Sequence, residues 1–220
     1  RGMGDSSGEL RNFEQVSEDI DAALAALRRA APHADRVAVF GLCDAASAAL
    51  LHLHDRPGAQ VDALCLLNPW VRSEATLART HLKRYYLQRL TDASFWRRLF
   101  SGDVGLVRVK ELLQSLRSAL RPSDPAQATT SAAMARPPFQ AAMARAWRNF
   151  RGRTLLVICG DDLTAQEFIE HSERDAAWRG LVDGAGVQRL DLADADHTLS
   201  QRSPRLAFET TLCRWLAPAI

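Results

Sequence analysis

The apolar positions of this chain form two kinds of pattern that alternate along the sequence. Short, nearly continuous apolar runs at residues 37–40, 61–67 and 154–159 have the length and character of buried β-strands, and the more mixed segment at residues 187–192 is interpreted as a further strand. Helical spacing of apolar residues, or helix-forming small residues, cover residues 13–27, 45–53, 167–181 and 204–216. Strands that alternate with helices predict an α/β fold, with a parallel sheet flanked by helices.

The segment between the second and third predicted strands has a different character. Residues 71–149 contain no strand pattern, but they contain helical patterns rich in arginine and aromatic residues, joined by proline-containing links. A single crossover helix would suffice to connect two parallel strands. We therefore expect residues 71–149 to form a helical cap insertion, and residues 1–70 and 150–220 to form the core domain.

The first predicted strand turns directly into a helix of small residues at Gly41-Leu42-Cys43-Asp44-Ala45. Such a turn holds the side chain at the bend exposed at the carboxyl edge of a sheet. The N–H groups and the positive dipole end of the following helix favour a thiolate at Cys43. The turn therefore predicts a cysteine nucleophile, although a cysteine after an apolar strand is also often just a small buried hydrophobe.

Two later strand ends carry the groups that such a nucleophile requires. Asp161 and Asp162 follow the third predicted strand, and His197 follows the fourth. The carboxyl ends of parallel strands share one edge, so these groups should converge on Cys43. His197 would act as the base, one aspartate would orient its imidazole, and the backbone N–H of Asp44 would form half of an oxyanion hole. Taken singly, the aspartates could be a turn and helix-start pair and His197 a loop residue, so the prediction depends on their joint placement.

Composition limits the classes of partner. The chain has 220 residues, 47% of them hydrophobic and 25% charged, which is ordinary for a globular domain. A net charge of +2 gives no reason to expect a nucleic acid, and no apolar run approaches the roughly 20 residues of a membrane span. The cysteines lack metal-ligand spacing, which favours a reduced, cytoplasmic protein. We expect no metal or cofactor, and a small-molecule acyl substrate.

Five stretches of the sequence resemble motifs of known proteins: residues 1–6, 41–47, 66–72, 160–168 and 196–198. The opening Arg-Gly-x-Gly-x-Ser resembles a loop of the α/β-hydrolase superfamily. Together with Asn-Pro-Trp-Val-Arg and Asp-Leu-Thr-Ala-Gln-Glu-Phe, it makes the chain similar to the exosortase A system-associated hydrolase 1 proteins of Gram-negative bacteria.

The resemblance implies an α/β-hydrolase fold, a cytoplasmic location and a genetic link to exopolysaccharide production and exosortase protein sorting. It favours Asp162 over Asp161 as the acid, and it makes Asn68, Trp70 and Arg72 candidate substrate contacts. Two departures stand out. The nucleophile is a cysteine where the superfamily more often has serine, and the N-terminal strands and the loop with the second oxyanion N–H are missing, so we expect an N-terminally truncated chain.

These features predict hydrolysis of an ester or thioester through an acyl-enzyme on Cys43. Thiolates attack activated acyl groups readily, whereas amide cleavage asks more of leaving-group protonation. An acyltransferase that passes the acyl group to a sugar hydroxyl would use the same triad. The third hypothesis is a binding or assembly module with impaired catalysis, because the Asp44 carboxylate opposes thiolate formation and one oxyanion donor is missing.

Overall fold

The strands in the described part of the chain lie side by side in one parallel sheet. The structure, a computed structural model, describes residues 2, 4–72 and 138–217. Its strands are β1 (Ala38–Leu42), β2 (Ala63–Leu67), β3 (Arg153–Cys159) and β4 (Val187–Leu192). They pair in the order β1-β2-β3-β4, and all three pairings are parallel. The predicted α/β class is confirmed, and all four carboxyl ends lie at the same edge.

Helices precede, connect and follow these strands. In chain order they are α1 (Ser17–Ala30), α2 (Asp44–Asp55), α3 (Phe139–Asn149), α4 (Leu163–Arg174) and α5 (Arg202–Leu216). Short 3-10 helices lie at Phe13–Gln15 and Ala176–Trp178. None of the helices in the described parts of the chain is both long and apolar enough to cross a membrane.

Side chains on the two faces of the sheet belong to separate apolar clusters. On β2, Leu64 and Leu66 pack into one cluster, whereas Ala63, Cys65 and Leu67 pack into the other. Helices α2, α3 and α4 contribute to the first cluster, and α5 contributes Phe208 and Trp215 to the second. Because successive side chains of a strand point to opposite faces, a strand covered on both sides needs apolar residues throughout.

Helix α3 belongs to the core, which corrects the predicted domain boundary. The compact unit that contains the sheet comprises residues 1–71 and 137–220, so it extends to residue 137 instead of residue 150. Met143 and Trp147 of α3 are buried in the same cluster as Leu50 of α2. Helix α3 directly precedes β3 in the chain, and its apolar face packs into the core. The remainder of the predicted cap, residues 73–137, lies outside the described residues and stays a prediction.

Two further element boundaries differ from the sequence pattern. Strand β1 continues through Gly41 and Leu42, because these residues pair with Leu66 and Leu67 of β2. Pairing thus overrides the weak strand preference of glycine. Helix α4 begins at Leu163, earlier than the pattern predicts, because the side chain of the preceding aspartate caps it.

Candidate active site

Cys43 occupies a strained position between β1 and α2. Its backbone angles are φ 60° and ψ −121°, a region that residues other than glycine rarely adopt. Several backbone hydrogen bonds hold it there. The Cys43 N–H donates to the Leu67 carbonyl at 2.8 Å, and the Cys43 carbonyl accepts from Ala46 at 3.1 Å and Trp70 at 3.2 Å. Strain of this kind costs about 1–3 kcal/mol and clusters at functional sites.

Gly41 allows the chain to turn this sharply. A Cβ at this position would lie 2.5 Å from the backbone nitrogen of Ala46 and 2.6 Å from the carbonyl of Ala45. Both are main-chain atoms of the first turn of α2, so no side-chain rotation could relieve the clash. The close approach between β1 and α2 therefore requires glycine at position 41.

His197 and Asp162 form a hydrogen-bonded pair at the same edge of the sheet. Nδ1 of His197 lies 2.8 Å from Oδ2 of Asp162. The Asp162 side chain is 6% exposed and the His197 side chain 38%, so the pair has a buried carboxylate and an imidazole open to solvent. The other oxygen, Oδ1, accepts the N–H of Thr164 at 3.0 Å and thereby caps α4. Asp161, the alternative acid, is exposed and lies outside this pair.

Two backbone hydrogen bonds join the loops that carry the acid and the histidine. Gly160 donates to the Leu192 carbonyl at 2.8 Å, and Asp161 donates to the Ala195 carbonyl at 3.0 Å. A Cβ on Gly160 would lie 2.1 Å from the Ala193 carbonyl oxygen, so only glycine permits this approach. Backbone hydrogen bonds thus hold the loops after β3 and β4 together, in addition to the contact between the Asp162 and His197 side chains.

Asp196 organises the turn that presents His197. Its carboxylate accepts the hydroxyl of Ser200 and the backbone N–H groups of Ser200 at 2.9 Å and Thr198 at 3.2 Å. These hydrogen bonds, first among them the one from the Ser200 hydroxyl, hold the pKa of Asp196 below its usual value. Sequence reasoning did not assign a role to Asp196, although an aspartate two residues before a turn N–H is a known signal for such a turn.

The remaining predicted site residues differ in exposure: Asp44, Trp70 and Arg72 reach the surface, and Asn68 does not. Asp44 is the first residue of α2 and is exposed, so its backbone N–H belongs to the helix start that faces the Cys43 turn. Trp70 and Arg72 are partly exposed. Asn68 is fully buried, and its side-chain oxygen accepts the N–H of Cys159 at 2.9 Å. This placement corrects the expectation for Asn68, which has no surface to offer a substrate.

The other cysteines differ from Cys43 in their surroundings. Burial raises the pKa of the Cys65 thiol to about 12, and burial is also the main cause that raises the pKa of Cys159. Cys213 is exposed on α5. Only Cys43 combines partial exposure with a position at a helix start. Within the described ranges, no cluster of three or more histidine, cysteine or carboxylate side chains could hold a metal ion.

Solved structures with the same arrangement of strands and helices include several esterases. An esterase of Pyrococcus furiosus matches 98% of this chain and 65% of its own, with a TM-score of 0.53 and 15% identity. The fold is that of the α/β-hydrolases. An esterase of Exiguobacterium antarcticum (TM-score 0.53, 14% identity) and MenH of S. aureus (TM-score 0.51, 12% identity) also match 98% of this chain, over 78% and 80% of their own.

The chain spans somewhat less than two thirds of the length of the Pyrococcus furiosus esterase, at 65%. No protein-family profile matches the sequence, and no curated protein matches it either. At 12–15% identity these structures establish the fold alone.

Proposed function

We propose that this protein hydrolyses an ester or thioester through an acyl-enzyme formed on Cys43, with His197 and Asp162 as the base and its orienting acid. The observation that carries the proposal is the 2.8 Å contact between His197 Nδ1 and Asp162 Oδ2 at the sheet edge where the strained Cys43 turn also lies. An Asp-bound Nδ1 leaves Nε2 of the imidazole available to a nucleophile.

The chemistry follows from these positions. The Cys43 sulfur attacks the acyl carbonyl, and the protonated His197 gives its proton to the departing alkoxide or thiolate. Water, deprotonated by His197, then attacks the Cys43 thioester and releases the acid. The backbone N–H of Asp44 stabilises the oxyanion in both steps. Esters and thioesters are favoured over amides because their leaving groups need less help from a proton donor.

Two observations of different kinds support the proposed substrate and setting. Esterases are among the solved structures that share the fold. The Asn-Pro-Trp-Val-Arg and Asp-Leu-Thr-Ala-Gln-Glu-Phe motifs resemble the exosortase A system-associated hydrolase 1 family. We therefore place the activity in the cytoplasm of a cell that produces exopolysaccharide, with a small acyl compound as substrate.

The test is to trap the acyl-enzyme. The protein is incubated with p-nitrophenyl acetate and, separately, with a short acyl-thioester, and peptides are read by mass spectrometry after an acid quench. We expect an acyl group on Cys43, loss of turnover in Cys43→Ala, and unchanged turnover in Cys213→Ser, which removes an exposed thiol on α5. Equal turnover in Cys43→Ala and the parent protein would refute the proposal.

A second measurement separates hydrolysis from acyl transfer. Product partition is followed while a sugar alcohol is added as an alternative acceptor. For a hydrolase, free acid remains the main product at every acceptor concentration. If the acylated sugar replaces the acid at millimolar acceptor, the protein is an acyltransferase that uses the same Cys43 intermediate.

A further inference from the structure

Asn68 has an unusual environment for a polar residue. It follows β2 directly, it is fully buried, and its φ is 47°. Asparagine is among the few residues other than glycine that adopt such a backbone conformation without large strain. Its Nδ2 group is buried and has no hydrogen-bond partner in the described residues. An apolar side chain would avoid that cost, so the acceptor oxygen is the part of the amide that the fold uses.

The hydrogen bonds of Asn68 reach the strand that leads to the acid. Its N–H donates to the Val157 carbonyl at 3.0 Å, and its Oδ1 accepts the N–H of Cys159 at 2.9 Å. Cys159 is the last residue of β3, and Asp162 follows three residues later. Asn68 therefore determines where the chain leaves β3 on its way to the carboxylate.

The residues on either side of Asn68 hold the nucleophile turn. The Leu67 carbonyl accepts the Cys43 N–H at 2.8 Å, and the Trp70 N–H donates to the Cys43 carbonyl at 3.2 Å. Ser47, which is also fully buried, donates its hydroxyl to the Trp70 carbonyl at 2.6 Å. The segment from Leu67 to Trp70 is thus bonded to Cys43 through its ends and to β3 through Asn68.

We propose that Asn68 is a positioning residue, whose side-chain oxygen fixes the Cys43 turn relative to the Asp162–His197 pair. The inference rests on the proposed function, because it assigns Asn68 a part in the same site. Without the acceptor, the Cys159 N–H loses its partner in a buried position and the end of β3 relaxes. The carboxylate and imidazole then move relative to the Cys43 sulfur, and the stabilisation of its thiolate by His197 weakens.

The experiment measures the reactivity of the Cys43 thiol, which requires no knowledge of the substrate. The rate of alkylation of Cys43 by iodoacetamide is followed from pH 5 to pH 10, with peptide-resolved mass spectrometry to separate it from Cys213. Asn68→Gly removes the amide and keeps access to positive φ. Ser172→Ala is the matched control, because Ser172 is 4% exposed and its hydroxyl donates to Ile169 within α4, at 2.9 Å. Thermal unfolding of each variant is recorded in parallel.

In the parent protein we expect an alkylation midpoint well below about 8.5, the ordinary value for a cysteine. Asn68→Gly should move that midpoint upward by about one pH unit, which slows alkylation at pH 6 about tenfold. Ser172→Ala should lower the melting temperature and leave the midpoint in place. If Asn68→Gly does not fold, Asn68→Ser, whose hydroxyl is too short to reach Cys159 in the same way, should give a shift in the same direction.

The possible failures are distinguishable. A parent midpoint near 8.5 would overturn the proposed Cys43–His197 pairing, and the positioning role with it. A low parent midpoint that stays unchanged in Asn68→Gly or Asn68→Ser, with only the melting temperature reduced, would overturn the positioning role alone, since a purely structural residue affects stability and not the thiol.

Discussion

Substitution of Gly41 by alanine is the sharpest test of the nucleophile turn. The new Cβ would lie 2.5 Å from the backbone nitrogen of Ala46, whereas ordinary van der Waals contact begins near 3.4 Å. The first turn of α2 must therefore retreat by about 1 Å, because the clash is with main-chain atoms. That turn carries the Asp44 N–H and the N–H groups of Ala46 and Ser47 that donate to the Cys43 carbonyl, so the retreat moves the nucleophile and its oxyanion donor together.

The expected effects are large for a single methyl group. Forced overpacking typically costs about 1–3 kcal/mol, which for a chain of this size lowers the melting temperature by about 2–4 °C per kcal/mol. A displacement of about 1 Å at reacting groups can reduce the rate about 10²-fold. We therefore expect Gly41→Ala to lose both stability and ester hydrolysis, the second by more than the fraction unfolded explains.

Gly58→Ala is the matched control for this substitution. Gly58 lies in the turn after α2, and no atom lies within 4 Å of the position that its Cβ would take. The same chemical change should therefore leave stability unchanged or raise it by about 0.4–1 kcal/mol through the unfolded chain. Urea unfolding and initial rates on p-nitrophenyl acetate measure both variants. Gly41→Ala with the stability and rate of Gly58→Ala would show that the close approach of β1 and α2 is not as described.

Three other predictions concern the acid, a buried histidine and the aromatic core. Asp162→Asn, which keeps the shape but removes the charge facing His197, should lower kcat by about 10²–10⁴-fold with little change in the far-UV circular dichroism spectrum, and an unchanged kcat contradicts its role. Burial lowers the pKa of His52 below 6.5, so the unfolded state binds more protons and the free energy of unfolding should fall as the pH drops below about 6.5. His52→Leu should flatten this pH dependence of the free energy of unfolding, measured by urea titrations at pH 5 to 8. Asp21 Oδ1, 3.7 Å from Nε2 of His52, opposes the effect of burial but does not outweigh it. A slope equal to that of the parent would contradict the lowered pKa of His52. Phe168→Ala removes a fully buried ring and should cost about 3–5 kcal/mol, measured by denaturant unfolding; a cost below 1 kcal/mol would mean that the site is not packed as described.

The strands of the core were the easiest elements to predict, for a physical reason. Strands β2 and β3 are covered on both faces, so nearly every residue is apolar and the run is visible without neighbours. The end of β1 was not visible, because its membership depends on pairing with β2. Helix α3 was assigned to the wrong unit, since its apolar face shows that it packs but not what it packs against.

The candidate site was predictable as far as topology determines it. Parallel strands bring the residues after β1, β3 and β4 to one edge, and the Asp162–His197 contact expected there is present at 2.8 Å. The role of Asn68 was not predictable in this way. An Asn-Pro pair after a strand indicates a turn, but whether the amide faces solvent or a buried N–H depends on β3, which lies 85 residues further along the chain at Arg153.

Where the structure describes the chain, the positive φ angles of residues other than glycine lie at the same edge of the sheet. Among the described residues, the positive φ angles outside glycine belong to Cys43, Asn68 and Leu199. Cys43 follows β1 and Asn68 follows β2. Leu199 ends the turn that presents His197, and the Leu199 N–H donates to the Asp196 carbonyl at 3.2 Å. Glycine would relieve the strain at each position, but it would remove the thiol, the amide acceptor or a buried apolar anchor. At Cys43 the strained backbone is therefore retained with the side chain on which the proposed chemistry depends, which is the pattern expected at a functional site.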